Sequence, residues 1–132
     1  MQEWIVPCNP KYYNVKGAFE KMKNLDWKQS NKNIHKDDIV YIYVGKPVQA
    51  IVYKCKVNKV NLSNIEIDDS EFVIDGTNYE TYKRHMELEI IKIYDKNVLS
   101  IEKMKEKNVK GSIQCPRKVK PELSDYIRTL EN

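Results

Sequence analysis

Ile39-Val40-Tyr41-Ile42-Tyr43-Val44 is an unbroken apolar run in a chain otherwise crowded with lysine and glutamate. Successive side chains of a strand point to opposite faces, so a strand made from this run is apolar on both. It therefore belongs at the centre of a sheet. Gly45-Lys46-Pro47 ends it. From Ile51 the pattern alternates, with Ile51, Tyr53, Cys55 and Val57 on one face and Lys54 and Lys56 on the other. Two such strands joined by a glycine–proline turn make a hairpin.

The rest of the chain is read around that hairpin. Trp4-Ile5-Val6-Pro7-Cys8 reads as a short strand, and Asn9-Pro10 as a turn. Asn14 can cap a helix that carries Val15, Ala18, Phe19 and Met22 at helical spacing, with Leu25 close to the same face. Gly17 weakens that helix by roughly 1 kcal/mol against alanine. Ser30-Asn31-Lys32-Asn33 is loop. Ile65-Glu66-Ile67 and Phe72-Val73-Ile74 read as short strands, followed by turn residues Asp75-Gly76-Thr77-Asn78. Met86, Leu88 and Ile90 alternate before Ile91 and Ile93 take the opposite phase, which is what a β-bulge produces. Ser100 can cap a helix through Lys107, and Pro121 can open a last one with Leu123, Tyr126, Ile127 and Leu130 on one face. The expectation is an α+β domain over residues 1–132, a mixed but mostly antiparallel barrel of about six strands with peripheral helices.

Length supports one domain, since 132 residues can bury a core without metal or disulfide staples. Cys8, Cys55 and Cys115 are odd in number and contain no Cys-x-x-Cys pair, so neither a disulfide framework nor a zinc site is expected. The apolar runs fall far short of the roughly 20 residues that span a bilayer, and Met1-Gln2-Glu3-Trp4 lacks signal-peptide character. A cytoplasmic protein with no membrane partner is expected. The net charge of +4 favours a polyanionic partner.

Function is sought first at Asp26-Trp27-Lys28-Gln29-Ser30, where a tryptophan follows an amphipathic segment and leads a polar run. That order suits a pocket that stacks a flat ligand on one ring and reads its edge, and a nucleobase is the ligand expected. Gln29 can donate and accept at once, and Ser30 can satisfy a remaining polar atom. A second ring would come from Tyr12, Tyr13, Tyr41 or Tyr43, and an apolar wall from Ile5 or Val44. The bland reading makes Trp27 a core or rim residue and Gln29 and Ser30 caps of the following loop. Catalysis finds little support. His35 and His85 have no nucleophile or carboxylate at telling spacing, and Asp37-Asp38 and Asp68-Asp69 read as turn residues. No catalytic residue, metal ligand or cofactor is expected.

The opening Trp4-Ile-Val-Pro, the helix leading to Asp26-Trp27, the Lys36-Asp37-Asp38-Ile39-Val40-Tyr41-Ile42-Tyr43 strand and the Ile51-to-Val57 strand resemble an EVE domain of the PUA-like superfamily. The closing Gly111-Ser-Ile-Gln-Cys-Pro-Arg117 before a helix is similar to how such domains end. The resemblance covers nearly the whole chain and implies a pseudo-barrel with a pocket for a modified base in DNA or RNA. It also implies a link to modification-dependent restriction, with a nuclease as partner or fused domain. The family follows its tryptophan with a Gly-Val-Arg-Asn-like run, whereas this chain has Lys28-Gln29-Ser30-Asn31.

A modified base inside a duplex hides its distinguishing edge, so a reader extrudes it or takes it from a single strand. An aromatic platform returns about 1–3 kcal/mol per base. The site expected is thus Trp27, Gln29, Ser30, Tyr13 and Tyr43 around the base, with Lys28, Arg117 and Lys118 on the backbone phosphates. DNA carrying a methylated or hydroxymethylated base is the first choice of partner, with RNA as the other. The rival functions are an ASCH-type RNA-processing hydrolase and a protein-interaction module.

Overall fold

A computed structural model describes residues 1–64, 66–74 and 84–131. In chain order its elements are β1 (Glu3–Cys8), α1 (Val15–Lys21), β2 (Asn24–Lys28), β3 (Ile39–Val44) and β4 (Ala50–Leu62), then a single 3₁₀ turn (Ser70–Phe72). β5 (His85–Ile93), α2 (Ile101–Glu106), β6 (Arg117–Lys118) and α3 (Pro121–Leu130) complete the series. The strands form one six-stranded sheet in the order β2-β5-β4-β3-β1-β6. β1 runs parallel to β3, and every other neighbouring pair is antiparallel. The fold is α+β, with a mixed, mostly antiparallel sheet whose edges are β2 and β6. Among the described residues no helix is long and apolar enough to cross a membrane.

β3 is buried at every position, as its two apolar faces require. Val40, Ile42 and Val44 face a core shared with Trp4, Val6, Phe19, Leu25 and Trp27. Ile39, Tyr41 and Tyr43 face a second core that Met104 of α2 and Leu123 and Ile127 of α3 cover. The sheet is therefore the middle layer between two sets of helices, and residue parity along β1 and β3 decides which core each side chain enters.

Register shifts adjust that parity, and two of them decide where the apolar side chains go. The β3–β4 register pairs Ile42 with Tyr53 but Tyr43 with Ile51, leaving Val52 as the extra residue. Tyr53, Cys55 and Val57 thus share the first core, while Ile51 crosses to the second. The expected common face for all four is corrected by this one-residue slip. In β5, Lys54 pairs with Lys92 and Cys55 with Ile90, so Ile91 is the extra residue where the sequence changes phase. Ile91 and Ile93 then point to solvent.

Caps fall where the sequence places them. The Asn14 side chain accepts from Gly17 N–H at 3.1 Å, and Ser100 from Lys103 N–H at 3.2 Å. Pro121 opens α3. Gly17 has a packing reason, because a Cβ there would meet the Phe72 ring at 3.2 Å and the Asn14 amide at 2.5 Å.

Two expected strands are replaced by two others. Leu25 leaves the helix face and enters β2, and Arg117-Lys118 pair with Ile5 and Trp4 as β6. At Glu66 and Ile67 the backbone N–H groups go instead to the Asp26 carboxylate, at 2.6 and 2.8 Å. Phe72 closes the 3₁₀ turn, and Val73 makes only an isolated bridge with Tyr13. The expected turn at residues 75–78 and residue 65 lie outside the described residues.

Candidate ligand pocket

β2 is at one edge of the sheet, and its residues help to line a pocket of about 130 Å³. Pro7, Cys8 and Asn9 at the end of β1 form one wall, and Tyr12 and Tyr13 follow in the connection to α1. Asp26, Trp27 and Lys28 of β2 form another, closed by Asp69, Val73 and His85. A broader groove of about 640 Å³ near Val15, Val48, Val52 and Phe72 is larger but brings no aromatic pair of this kind.

The aromatic part is rigid. Tyr13 meets Trp27 edge-on, with ring centroids 5.6 Å apart and planes at 85°. This is a T-shaped pair, so Tyr13 braces Trp27 rather than forming a parallel sandwich with it. Tyr13 Oη donates to Asp69 Oδ2 at 2.5 Å, which ties the ring to the segment after β4.

Polar groups converge on the same space. Asp26 is 4% exposed; Oδ2 accepts two backbone N–H groups, while Oδ1 is buried with no hydrogen-bond partner. His85, 5% exposed and opposite Lys28 across the β2–β5 ladder, has a buried Nδ1 that also lacks a partner. Such atoms cost about 1–3 kcal/mol each when left unmet, so they call for an explanation. Burial pushes the Cys8 thiol up to about 12, and the nearby Lys28 ammonium only partly offsets this. That wall is a neutral thiol with a cation beside it.

Of the residues expected at the site, Trp27, Tyr13 and Lys28 line this pocket together. Gln29 does not. It is 1% exposed and held structurally, its Oε1 accepting from Asn61 N–H at 2.8 Å and its amide pointing at the Asn31 and Ile34 carbonyls. Ser30 is exposed beyond the pocket, and Tyr43, like Tyr41 and Ile5, belongs to the core on the other face of the sheet. Val44 lines the broader groove. Arg117 and Lys118 lie on β6, next to the start of β1, whereas the pocket is at its end. Arg117 donates to the Lys110 carbonyl at 2.8 Å, and the Lys118 ammonium sits 5.6 Å above the Trp4 ring.

Asp26, Asp69 and His85 complete the pocket without having been singled out for it. Asp26 stood beside Trp27 in the expected stretch, which was a usable signal; His85 had none beyond its type. Among the described residues no cluster of three or more His, Cys, Asp or Glu side chains could hold a metal ion.

No family profile matches the sequence, and no curated protein matches it either. Solved structures do. The ASCH protein of Zymomonas mobilis superposes with a TM-score of 0.65 over 98% of this chain and 95% of its own, at 10% identity. A Pseudomonas syringae protein matches at 0.68, covering 98% of this chain and 99% of its own with 16% identity. A hypothetical protein from Leishmania major matches at 0.67, covering 98% and 94% with 13% identity. At such identities the likeness concerns the fold alone, a six-stranded α+β fold that this chain shares with the ASCH protein.

Proposed function

We propose that this chain is a non-enzymatic nucleic-acid-binding module that takes a modified nucleobase into the Trp27 pocket. The observation that carries this reading is the Tyr13–Trp27 ring pair on a cavity whose apolar lining also includes Pro7, Cys8 and Val73. A flat heterocycle gains from such a surface, and stacking on one aromatic ring returns about 1–3 kcal/mol. Lys28 at the same pocket supplies a cation for the phosphate that accompanies any base. The EVE-like order of the sequence and the PUA-like fold of its structural neighbours agree with a base reader. DNA with a methylated or hydroxymethylated base is the preferred substrate and a nuclease the natural partner.

Binding of short labelled oligonucleotides, each with one modified or one unmodified base, tests the proposal. The modified strand should bind more tightly, and Trp27→Ala should abolish the difference while a melting curve reports whether the variant is folded. Equal affinity for both strands, or no binding at any salt concentration, overturns it.

A further inference from the structure

The broader groove of about 640 Å³ shares no lining residue with the Trp27 pocket. Its apolar lining comes from Val15 of α1, Val44 at the end of β3, Val48 in the turn that follows, Val52 and Tyr53 of β4, and Phe72. Val48 and Val52 are only half-buried, at the margin of the first core. Ile74 also lines the groove, yet 63% of its surface is exposed. The backbone imposes that exposure. Ile74 N–H donates to the Tyr12 carbonyl at 2.8 Å, and the preceding Val73 is bridged to Tyr13. An apolar knob is thereby fixed beside an apolar hollow without filling it.

The charges around the groove decide what fills it. Lys16 and Lys96 are exposed on its rim, and so are Glu71 and Asp95. Two cations therefore stand with two anions on one face of a chain whose net charge is +4. Glu71 already meets Lys21 at 2.7 Å, but that pair is open to solvent on both sides and leaves the carboxylate able to take a second cation. A polyanion gains nothing from a balanced rim, because each phosphate that meets a lysine also meets an acid. A second copy of the same face does gain, since every cation can find an anion across the contact.

An isologous contact makes one further demand. The same patch lies on both sides of the twofold axis, so it must hold both the projecting and the receiving part. Ile74 and the Val48–Val52 floor meet that demand within one groove. From this arrangement we infer that the groove is the interface between two copies of this chain, related by a twofold axis. Ile74 of each copy fills the Val48–Val52 hollow of the other, and Lys16 and Lys96 face Glu71 and Asp95 across the contact. Burying an isoleucine that is mostly exposed in the single chain supplies the driving force, and the rim supplies the register. The inference does not rest on the base-binding reading, and its test leaves every residue of the Trp27 pocket in place.

The test is sedimentation equilibrium of the full chain over a concentration series. The weight-average mass should climb from 15.7 kDa towards about twice that value between roughly 10 µM and 1 mM. Ile74→Asp should weaken association about tenfold or more, whereas Ile91→Asp, which puts the same charge on an exposed residue outside the groove, should change it by less than about twofold. Melting curves check that both variants are folded. In a sample mixed from ¹³C-labelled and unlabelled chains, filtered NOEs should join the Ile74 methyls of one copy to the Val48 or Val52 methyls of the other. A monomer at every concentration overturns the inference, as does a mass that grows past two chains. A dimer that Ile91→Asp dissolves and Ile74→Asp does not, or one without those NOEs, overturns it too.

Discussion

The ring of Tyr13 stands edge-on to that of Trp27 while its hydroxyl donates to Asp69 Oδ2. One side chain thereby joins the connection after β1, the edge strand β2 and the segment after β4. Nothing in the hydrophobic core requires this, because Tyr13 is only half-buried and packs at its margin. The join instead sets the shape of the pocket. Removing the hydroxyl keeps the ring contact and breaks the tie to Asp69. Tyr13→Phe is therefore expected to cost about 1–2 kcal/mol in urea unfolding. It should also weaken binding of a modified oligonucleotide more than its small stability loss alone would. Unchanged affinity in Tyr13→Phe would show that the pocket keeps its shape without the tie.

Gln29 makes the opposite case. Its amide is spent on Asn61, Asn31 and Ile34, joining the end of β2 to the loop before β3 and to the end of β4. Gln29→Ala should lower stability by about 1–2 kcal/mol, since it leaves the Asn61 N–H without its acceptor. Oligonucleotide affinity should stay within about twofold. A tenfold loss in a folded Gln29→Ala variant would return Gln29 to the site.

These two residues mark what could be read without coordinates. The central place of β3, the bulge at Ile91, the caps at Asn14 and Ser100 and the Pro121 start of α3 follow from local pattern, and all are present. The strand total of six also agrees, though two members differ. Ile65-Glu66-Ile67 alternates like a strand, but the Asp26 carboxylate, about forty positions away, captures the amides of Glu66 and Ile67. β2 was hidden for the converse reason: Asn24-Leu25-Asp26-Trp27-Lys28 is short and carries an aspartate at its middle. Strand identity here depends on the partner rather than on propensity. The pocket follows the same rule. Trp27 was legible from its position, whereas the placing of His85 opposite Lys28 exists only once the register with β5 is set.

Asp38 should make the fold sensitive to acid. Its carboxylate accepts from Gln2 N–H at 2.9 Å, Gln2 Nε2 at 3.1 Å, Trp4 Nε1 at 3.0 Å and His35 N–H at 2.9 Å. Burial by itself would raise its pKa, but these four hydrogen bonds outweigh it and hold the group below the usual carboxylate range. A depressed folded pKa contributes stability above the unfolded value of about 3.9, and that stability is lost as pH falls through the folded value. Asp38→Asn should therefore be less stable than the parent at neutral pH, with the gap narrowing below about pH 4. A gap independent of pH in urea titrations would mean that the carboxylate's charge contributes nothing.

Salt dependence separates the cations beside the pocket from those that merely decorate the surface. Lys28 lines the pocket and its charge is felt at Cys8, so a bound strand would bring a phosphate towards it. Lys21 is an exposed cation paired with Glu71 at 2.7 Å, on a helix and not on the pocket. Each phosphate contact on a single strand contributes about 0.7 to the slope of log affinity against log salt. Lys28→Ala should reduce the slope by about that amount and weaken every strand alike, modified or not. Lys21→Ala should leave the slope unchanged. Arg117 and Lys118, on β6 beside the start of β1, extend the test along the strand's path. If a bound strand continues from the pocket along β1, Arg117→Ala lowers the slope by a similar step; an unaltered slope would confine the phosphate contacts to the β2 side.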